Sequence, residues 1–291
     1  MGVAFAAGFR RAAVFAAHPG CTVKRATSPT ELGDELAAAN LDWIVPDWPV
    51  PSHVCALSTT RSGGVSTGPR ATMNLGRNVR DDASALAENR RRLQALLPTT
   101  PTWLDQVHGA AVVTLTAASS GQPAPVADAA VTRERGVVCA VLTADCLPVL
   151  FADRRGNAVG VAHGGWRGLA AGVLEATIAA LRDLGARADD LVAWLGPAIG
   201  PTRFEVGADV HERFCAGDPE AEICFTPHGP GKWHADLYGL ARARLGRSGV
   251  AQVGGGAYCT HSDAARFFSY RRERDTGRMA TVVWLAGHEK R

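Results

Sequence analysis

Residues 141–168, VLTADCLPVLFADRRGNAVGVAHGGWRG, decide how the rest of this chain is read. Apolar runs rich in Val and Leu occupy 141–143, 147–151 and 158–162, and Asp-Arg-Arg-Gly-Asn at 153–157 interrupts them as a turn. Short apolar runs bounded by turn residues predict tightly joined strands. Cys146 and His163 then stand at the ends of neighbouring strands, where two chemically capable side chains can converge. After His163, Gly-Gly-Trp-Arg-Gly leads into a segment with Leu169, Val173, Thr177, Leu181 and Leu184 at helical spacing. Backbone donors at a helix start favour a nearby thiolate, phosphate or carboxylate and keep an imidazole neutral. Arg167 lies in the first turn, the wrong end of a helix for its charge, so the sequence assigns it to an anion.

The 291 residues, 46% hydrophobic and 20% charged, form an ordinary globular composition with enough apolar material for a sizeable core. Nearly all of the 31 basic side chains are Arg, the net charge is only +3, and no like-charge run exceeds Arg90-Arg91-Arg92. No nucleic-acid footprint is expected from such a distribution. Seven cysteines at 21, 55, 139, 146, 215, 224 and 259 form no CxxC pair, which argues against a disulfide scaffold and a zinc ribbon. Reduced thiols in a cytoplasm are expected, with those other than Cys146 read as buried packing residues. No apolar run reaches the roughly 18 to 20 residues of a membrane span, and Arg10-Arg11 precedes too short an apolar run for a secretory signal.

Residues 1–40, Ala-rich and without a sustained period, are read as an extension outside a folded domain of residues 41–291. A strand is predicted at 54–60, and a helix at 84–97 capped by Ser84 and ended by Pro98. GVSTG at 64–68 spells GxSxG, but Pro69 follows where a nucleophile elbow needs a helix. His108 lies beside Gly109 just before a strand at 112–116. Further strands are expected at 191–195, 250–253 and 279–285, with a helix at 236–245. The alternation is mixed, with too few strand-helix-strand repeats for a doubly wound sheet.

Several motifs then coincide. They are TTRSGGVS at 59–66, ENR at 88–90, QVHG at 106–109, TADCLPVLFAD at 143–153, AHGGWRG at 162–168, WLGPAIGP at 194–201 with FEVG at 204–207, and CT..D..RFFSYRR....GRMA at 259–280. From about residue 41 onward the chain resembles the YfiH family, the bacterial laccase-domain purine nucleoside phosphorylases once described as polyphenol oxidases. The resemblance implies a single-domain four-layer α/β/β/α sandwich with mixed sheets. It also implies a catalytic Zn2+ held by His108, Cys146 and His163, with Gly164 where the family usually has Ala. The implied chemistry is phosphorolysis of adenosine, inosine and 5′-methylthioadenosine, and deamination of adenosine.

Three protein ligands with a free fourth position is the pattern of catalytic zinc. Phosphorolysis needs in addition a held phosphate, for which the forked guanidinium groups of Arg61, Arg167 and Arg271 are candidates, each with a surface salt bridge as the alternative. Asp145 and Glu205 are candidates for assisting the departing base. A multinuclear copper oxidase would need His-x-His pairs, and none of the nine histidines is two away from another. The HxE with PCxxC signature of the common nucleobase deaminases is also absent. A cysteine hydrolase, with Cys146 as nucleophile and His163 as base, remains a physically sensible rival, including an amidase that edits peptidoglycan precursors.

Overall fold

Every residue of the strand Leu147–Asp153 is buried, as is every residue of Met279–Leu285, so both faces of the sheets that hold them are covered. The computed structural model describes residues 26–287. In chain order the elements are α1 (Pro29–Ala38), β1 (Val54–Ser58), α2 (Ala83–Gln94), β2 (Val112–Thr114), β3 (Ala129–Thr132), β4 (Val138–Thr143), β5 (Leu147–Asp153), β6 (Val159–Gly164), α3 (Trp166–Ala171) and α4 (Val173–Asp183). They continue with β7 (Leu191–Leu195), β8 (Glu205–Gly207), α5 (Ala208–Cys215), β9 (Phe225–Pro227), β10 (Lys232–Ala235), α6 (Leu237–Arg247), β11 (Gln252–Gly255), α7 (Tyr270–Glu273) and β12 (Met279–Leu285).

A six-stranded sheet runs β11-β7-β5-β6-β3-β2, and a three-stranded sheet runs β1-β12-β4. The larger sheet is mixed, because β11 with β7 and β2 with β3 are parallel while its inner pairs are antiparallel. A small antiparallel sheet, β8-β10-β9, stands apart from both. Consecutive strands β4 and β5 do not pair. β4 lies against β12 and β5 against β6 and β7, so the chain crosses from one sheet to the other over residues 144–146.

The period-two alternation of side chains sorts the core into layers. In β5, Leu147, Val149 and Phe151 face α4 and α6, meeting Leu174, Ile178, Leu181, Leu237 and Leu240. Leu150 and Ala152 point the other way, toward Val141, Met279 and Val283 of the smaller sheet. The outer face of that sheet, with Leu57, Val282 and Trp284, is covered by Leu32 and Leu36 of α1 and Leu93 of α2. Four layers result, helix, sheet, sheet and helix, as the family resemblance implied. No described helix is long and apolar enough to cross a membrane.

Three local readings need correction. Within the stretch read as an extension, α1 buries Leu32 and Leu36 and is capped by Ser28, whose Oγ accepts from the Glu31 N–H at 3.2 Å. Two leucines one turn apart are too brief a signal to show as a period, yet enough to seal the face above β1 and β12. Residues 1–25 of that stretch lie outside the described residues. The helical run after His163 is two helices, because Gly172 at φ 90° and ψ 30° ends α3 and starts α4 in a left-handed conformation that suits glycine. The predicted cap Ser84 is replaced by Asp82, whose carboxylate accepts from the Ala85 N–H at 2.9 Å, and α2 stops at Gln94.

Candidate active site

The crossing between the sheets places Cys146 beside His163. Leu147 pairs with Gly164 and Pro148 with His163, so the two side chains belong to adjoining strands, as their spacing predicted. The crossing is held in a conformation unusual for a side-chain-bearing residue. Asp145 has φ 87°, and its carboxylate accepts from Thr260 Oγ1 and from the Arg271 backbone N–H, both at 2.6 Å. Such backbone persists only where its surroundings over-determine it.

His108 arrives from a loop that also contains a left-handed residue, His108 itself at φ 61°. Gln106 fixes that loop to β4, donating to the Leu142 carbonyl at 2.9 Å and accepting from the Leu142 N–H at 2.8 Å. The deeper anchor is Asp128, whose side chain is fully buried. Its carboxylate accepts from three successive N–H groups, Val107 at 3.2 Å, His108 at 2.9 Å and Gly109 at 2.7 Å. The same carboxylate lies 2.8 Å from His163 Nδ1, and the Asp128 carbonyl accepts from the His163 N–H at 2.7 Å. One side chain therefore shapes the loop that carries His108 and orients the ring of His163. Nothing in its sequence surroundings pointed to this role, apart from a charge immediately before the apolar run Ala129-Ala130-Val131.

With Nδ1 engaged by Asp128, His163 presents Nε2 to the cleft. Cys146 Sγ lies 3.9 Å from His108 Nε2, the two imidazole centroids are 4.7 Å apart at 72°, and the three potential ligand atoms fall within 4.8 Å of one another. Tetrahedral zinc, with bonds of about 2.05 Å to nitrogen and 2.3 Å to sulphur, sets such atoms about 3.6 Å apart. The Cys146–His108 separation is close to that value, and the donor set suits a small, borderline-soft cation. His108 is exposed and His163 buried, so the group is open on the side of His108. That side faces a cleft of about 800 Å³. Gly165 keeps the opening clear, since a Cβ there would meet His108 Cδ2 at 3.0 Å and Cys146 Sγ at 3.1 Å.

The electrostatics favour charge separation. Burial resists ionisation of Cys146, but the neighbouring His163 and His108 outweigh it and bring the thiol down to about 6. Burial likewise opposes a charged His163, and the Cys146 and Asp128 anions overcome it and raise the imidazole. The expectation of an imidazole kept neutral by a helix start is therefore reversed. The helix after His163 has only six residues, while two anions flank the ring directly. Desolvation of Asp128 is offset by the hydrogen bonds from His163 and Gly109, which hold its carboxyl below the ordinary value.

The three arginines singled out by sequence are not among the residues lining the cleft. Arg61 donates to the carbonyls of Ala71 and Ala264 and pairs with Glu273 at 3.4 Å. Arg167 is exposed and stacks over Trp166 at 4.4 Å, and Arg271 donates to the Glu205 carbonyl at 2.7 Å. Asp145 is committed to the crossing, and Glu205 sits on β8 near His228 and Lys232. The cleft's own guanidinium groups come from Arg77, Arg90 and Arg278. Arg90 is tied to the Leu75 carbonyl and stacks over Trp103, whereas Arg77 is exposed. Of the described cysteines, all free, Cys55, Cys139 and Cys224 are buried as expected, but Cys215 and Cys259 are partly exposed.

Fold and site together define a class: a four-layer α/β sandwich in which the sheet crossing, the loop before β2 and the end of β6 bring one thiol and two imidazoles to an open cleft. Residues 55–286 match the family described as multi-copper polyphenol oxidoreductase laccase, and the chain belongs to that family. Among its curated relatives is a purine nucleoside phosphorylase of Pseudomonas aeruginosa, 54% identical over 84% of this chain and 98% of the relative. The purine nucleoside phosphorylase YfiH of Escherichia coli is 51% identical over 83% and 98%. The crystal structure of the Neisseria meningitidis protein NMB0706 superposes with a TM-score of 0.80 at 49% identity, covering 84% of this chain and all of the other. YlmD from Geobacillus stearothermophilus gives 0.80 at 32% identity, over 84% and 96%.

Proposed function

We propose that this chain is a zinc-dependent purine nucleoside phosphorylase acting on adenosine, inosine and 5′-methylthioadenosine, with adenosine deaminase activity. The observation that carries the reading is the convergence of His108 Nε2, Cys146 Sγ and His163 at the floor of an open cleft, with Asp128 behind them. Close relatives carry the phosphorylase name, which supports the same reaction class here. Zinc bound by these three residues would supply Lewis acidity at an open coordination position. Asp128 holds His163 in the tautomer that presents Nε2, an arrangement that strengthens an imidazole as a ligand. Arg77 and Arg278, on the cleft wall, take the phosphate in place of Arg61, Arg167 and Arg271. Trp103 and Tyr270, also on the wall, offer aromatic surface to a purine.

The test measures purine base released from each nucleoside with and without phosphate, before and after chelation. Phosphate-dependent release that is lost on chelation and restored by zinc is expected. Release that survives unchanged in His108→Ala, Cys146→Ala and His163→Ala would end the proposal. The family description notwithstanding, the sequence holds no His-x-His pair for a multinuclear copper centre.

One observation favours a second reading. Asp128, His163 and Cys146 stand in the order carboxylate, imidazole, thiol, with the thiol depressed to about 6, an arrangement suited to a cysteine nucleophile. Full activity on an amide substrate after chelation, abolished by alkylating Cys146, would favour that hydrolase.

A further inference from the structure

A second group of metal-capable side chains lies on the small sheet and its helix, away from the cleft. His211 and Cys215 are one turn apart on α5, so both project from the same face of the helix. Glu222 is brought over them by the 3-10 turn Pro219–Cys224. The ligand atoms of the three residues all fall within 4.8 Å of one another. We propose that His211, Cys215 and Glu222 form a second binding site for a zinc-class divalent cation, structural in role and independent of the cleft.

Three features support it. The His211 ring is fixed before any ion arrives, stacked on Trp233 at 4.3 Å and 14° and edge-on to Phe225 at 5.1 Å. Its Nε2 is aimed at Glu222, 2.9 and 3.1 Å from the two carboxylate oxygens. An imidazole, a thiol and a carboxylate make a mixed donor set that suits zinc and leaves a fourth position for water. Around a tetrahedral zinc the nitrogen and oxygen would stand about 3.4 Å apart, so the carboxylate must retreat slightly. Glu222 can do so, because 58% of its side chain is exposed while His211 is 17% exposed and stays clamped. The ion would tie α5 to the turn that leads into β9, a part of the fold outside the two large sheets. The competing account is an ion-free His211–Glu222 pair with the Cys215 thiol hydrogen-bonded to the same carboxylate, and the experiment must separate the two.

The experiment is a zinc titration of the full chain after chelation, with bound metal counted after desalting and the cobalt(II) derivative read by its thiolate-to-metal absorption. Wild type should keep about two equivalents, and Cys215→Ser and Glu222→Gln should each lose about one together with part of the cobalt band. Cys146→Ser should keep the equivalent that those two lose. Glu222→Gln alters an exposed side chain, so an unchanged circular dichroism spectrum separates lost binding from lost folding. A Cys146→Ser protein that holds no metal overturns the proposal. So does a wild-type stoichiometry that neither Cys215→Ser nor Glu222→Gln reduces. Metal held at Cys215 but absent from the cleft would refute the zinc reading of the cleft while leaving this site standing.

Discussion

The two thiol–imidazole–carboxylate groups in this chain are built from similar parts and differ in what stands behind them. In the cleft, Asp128 is buried and spends all its hydrogen-bonding capacity on positioning, while His108 and Asp145 are held in left-handed backbone. On α5, an exposed carboxylate meets a histidine clamped only by aromatic rings, and regular helix supplies the spacing. The same side chains acquire different chemistry accordingly. The cleft thiol is brought down to about 6 despite its burial, because two imidazoles face it. The Cys215 thiol is pushed up to about 11 by burial, with the Glu222 carboxylate adding to it. Neighbours, more than residue type, decide which group is poised for reaction.

The largest effect that would break this comparison is expected at Asp128. Asp128→Ala removes the partner of a buried imidazole and of three N–H groups, a loss on the order of 3–5 kcal/mol of stability. Urea denaturation should show that loss, and zinc affinity of the surviving folded protein should fall about 10- to 100-fold. An unchanged denaturation midpoint would contradict the anchoring role. Gly165→Ala tests the cleft without deleting any donor. Its methyl would sit about 3 Å from both the His108 ring and Cys146 Sγ, so turnover should drop well over tenfold, with a smaller change in melting temperature.

The contrast between the thiols sharpens next. In metal-free protein, the iodoacetamide reaction at Cys146 should rise through pH 6 and level off above it, because a depressed pKa leaves the thiolate present at neutral pH. Cys215 should stay nearly unreactive until strongly alkaline pH, its pKa being raised. Mass spectrometry of labelled peptides distinguishes the two, and matching profiles would refute the contrast. The smallest expected effect is at Arg167. Arg167→Ala removes an exposed side chain stacked on Trp166 and should shift stability by no more than about 0.5 kcal/mol. Arg278→Ala, by comparison, should raise the KM for phosphate, and equal kinetic effects from both would place the phosphate elsewhere.

What local sequence could determine, it determined well. The strands at 191–195 and 279–285 match the observed elements end for end, and Leu147 starts β5 where the apolar run begins, because apolar runs and turn residues act over a few positions. That His108, Cys146 and His163 come together was also legible, chiefly through the motifs around them. Tertiary structure alone decided that β4 and β5 part into different sheets, which puts Cys146 at a crossing rather than in a hairpin. It alone gave Asp128 its four partners, drew Arg61 and Arg271 onto backbone carbonyls, and set Arg77, Arg90 and Arg278 on the cleft wall. Those outcomes depend on which strand lies beside which and on contacts between residues far apart in the chain, and a short window of sequence contains neither.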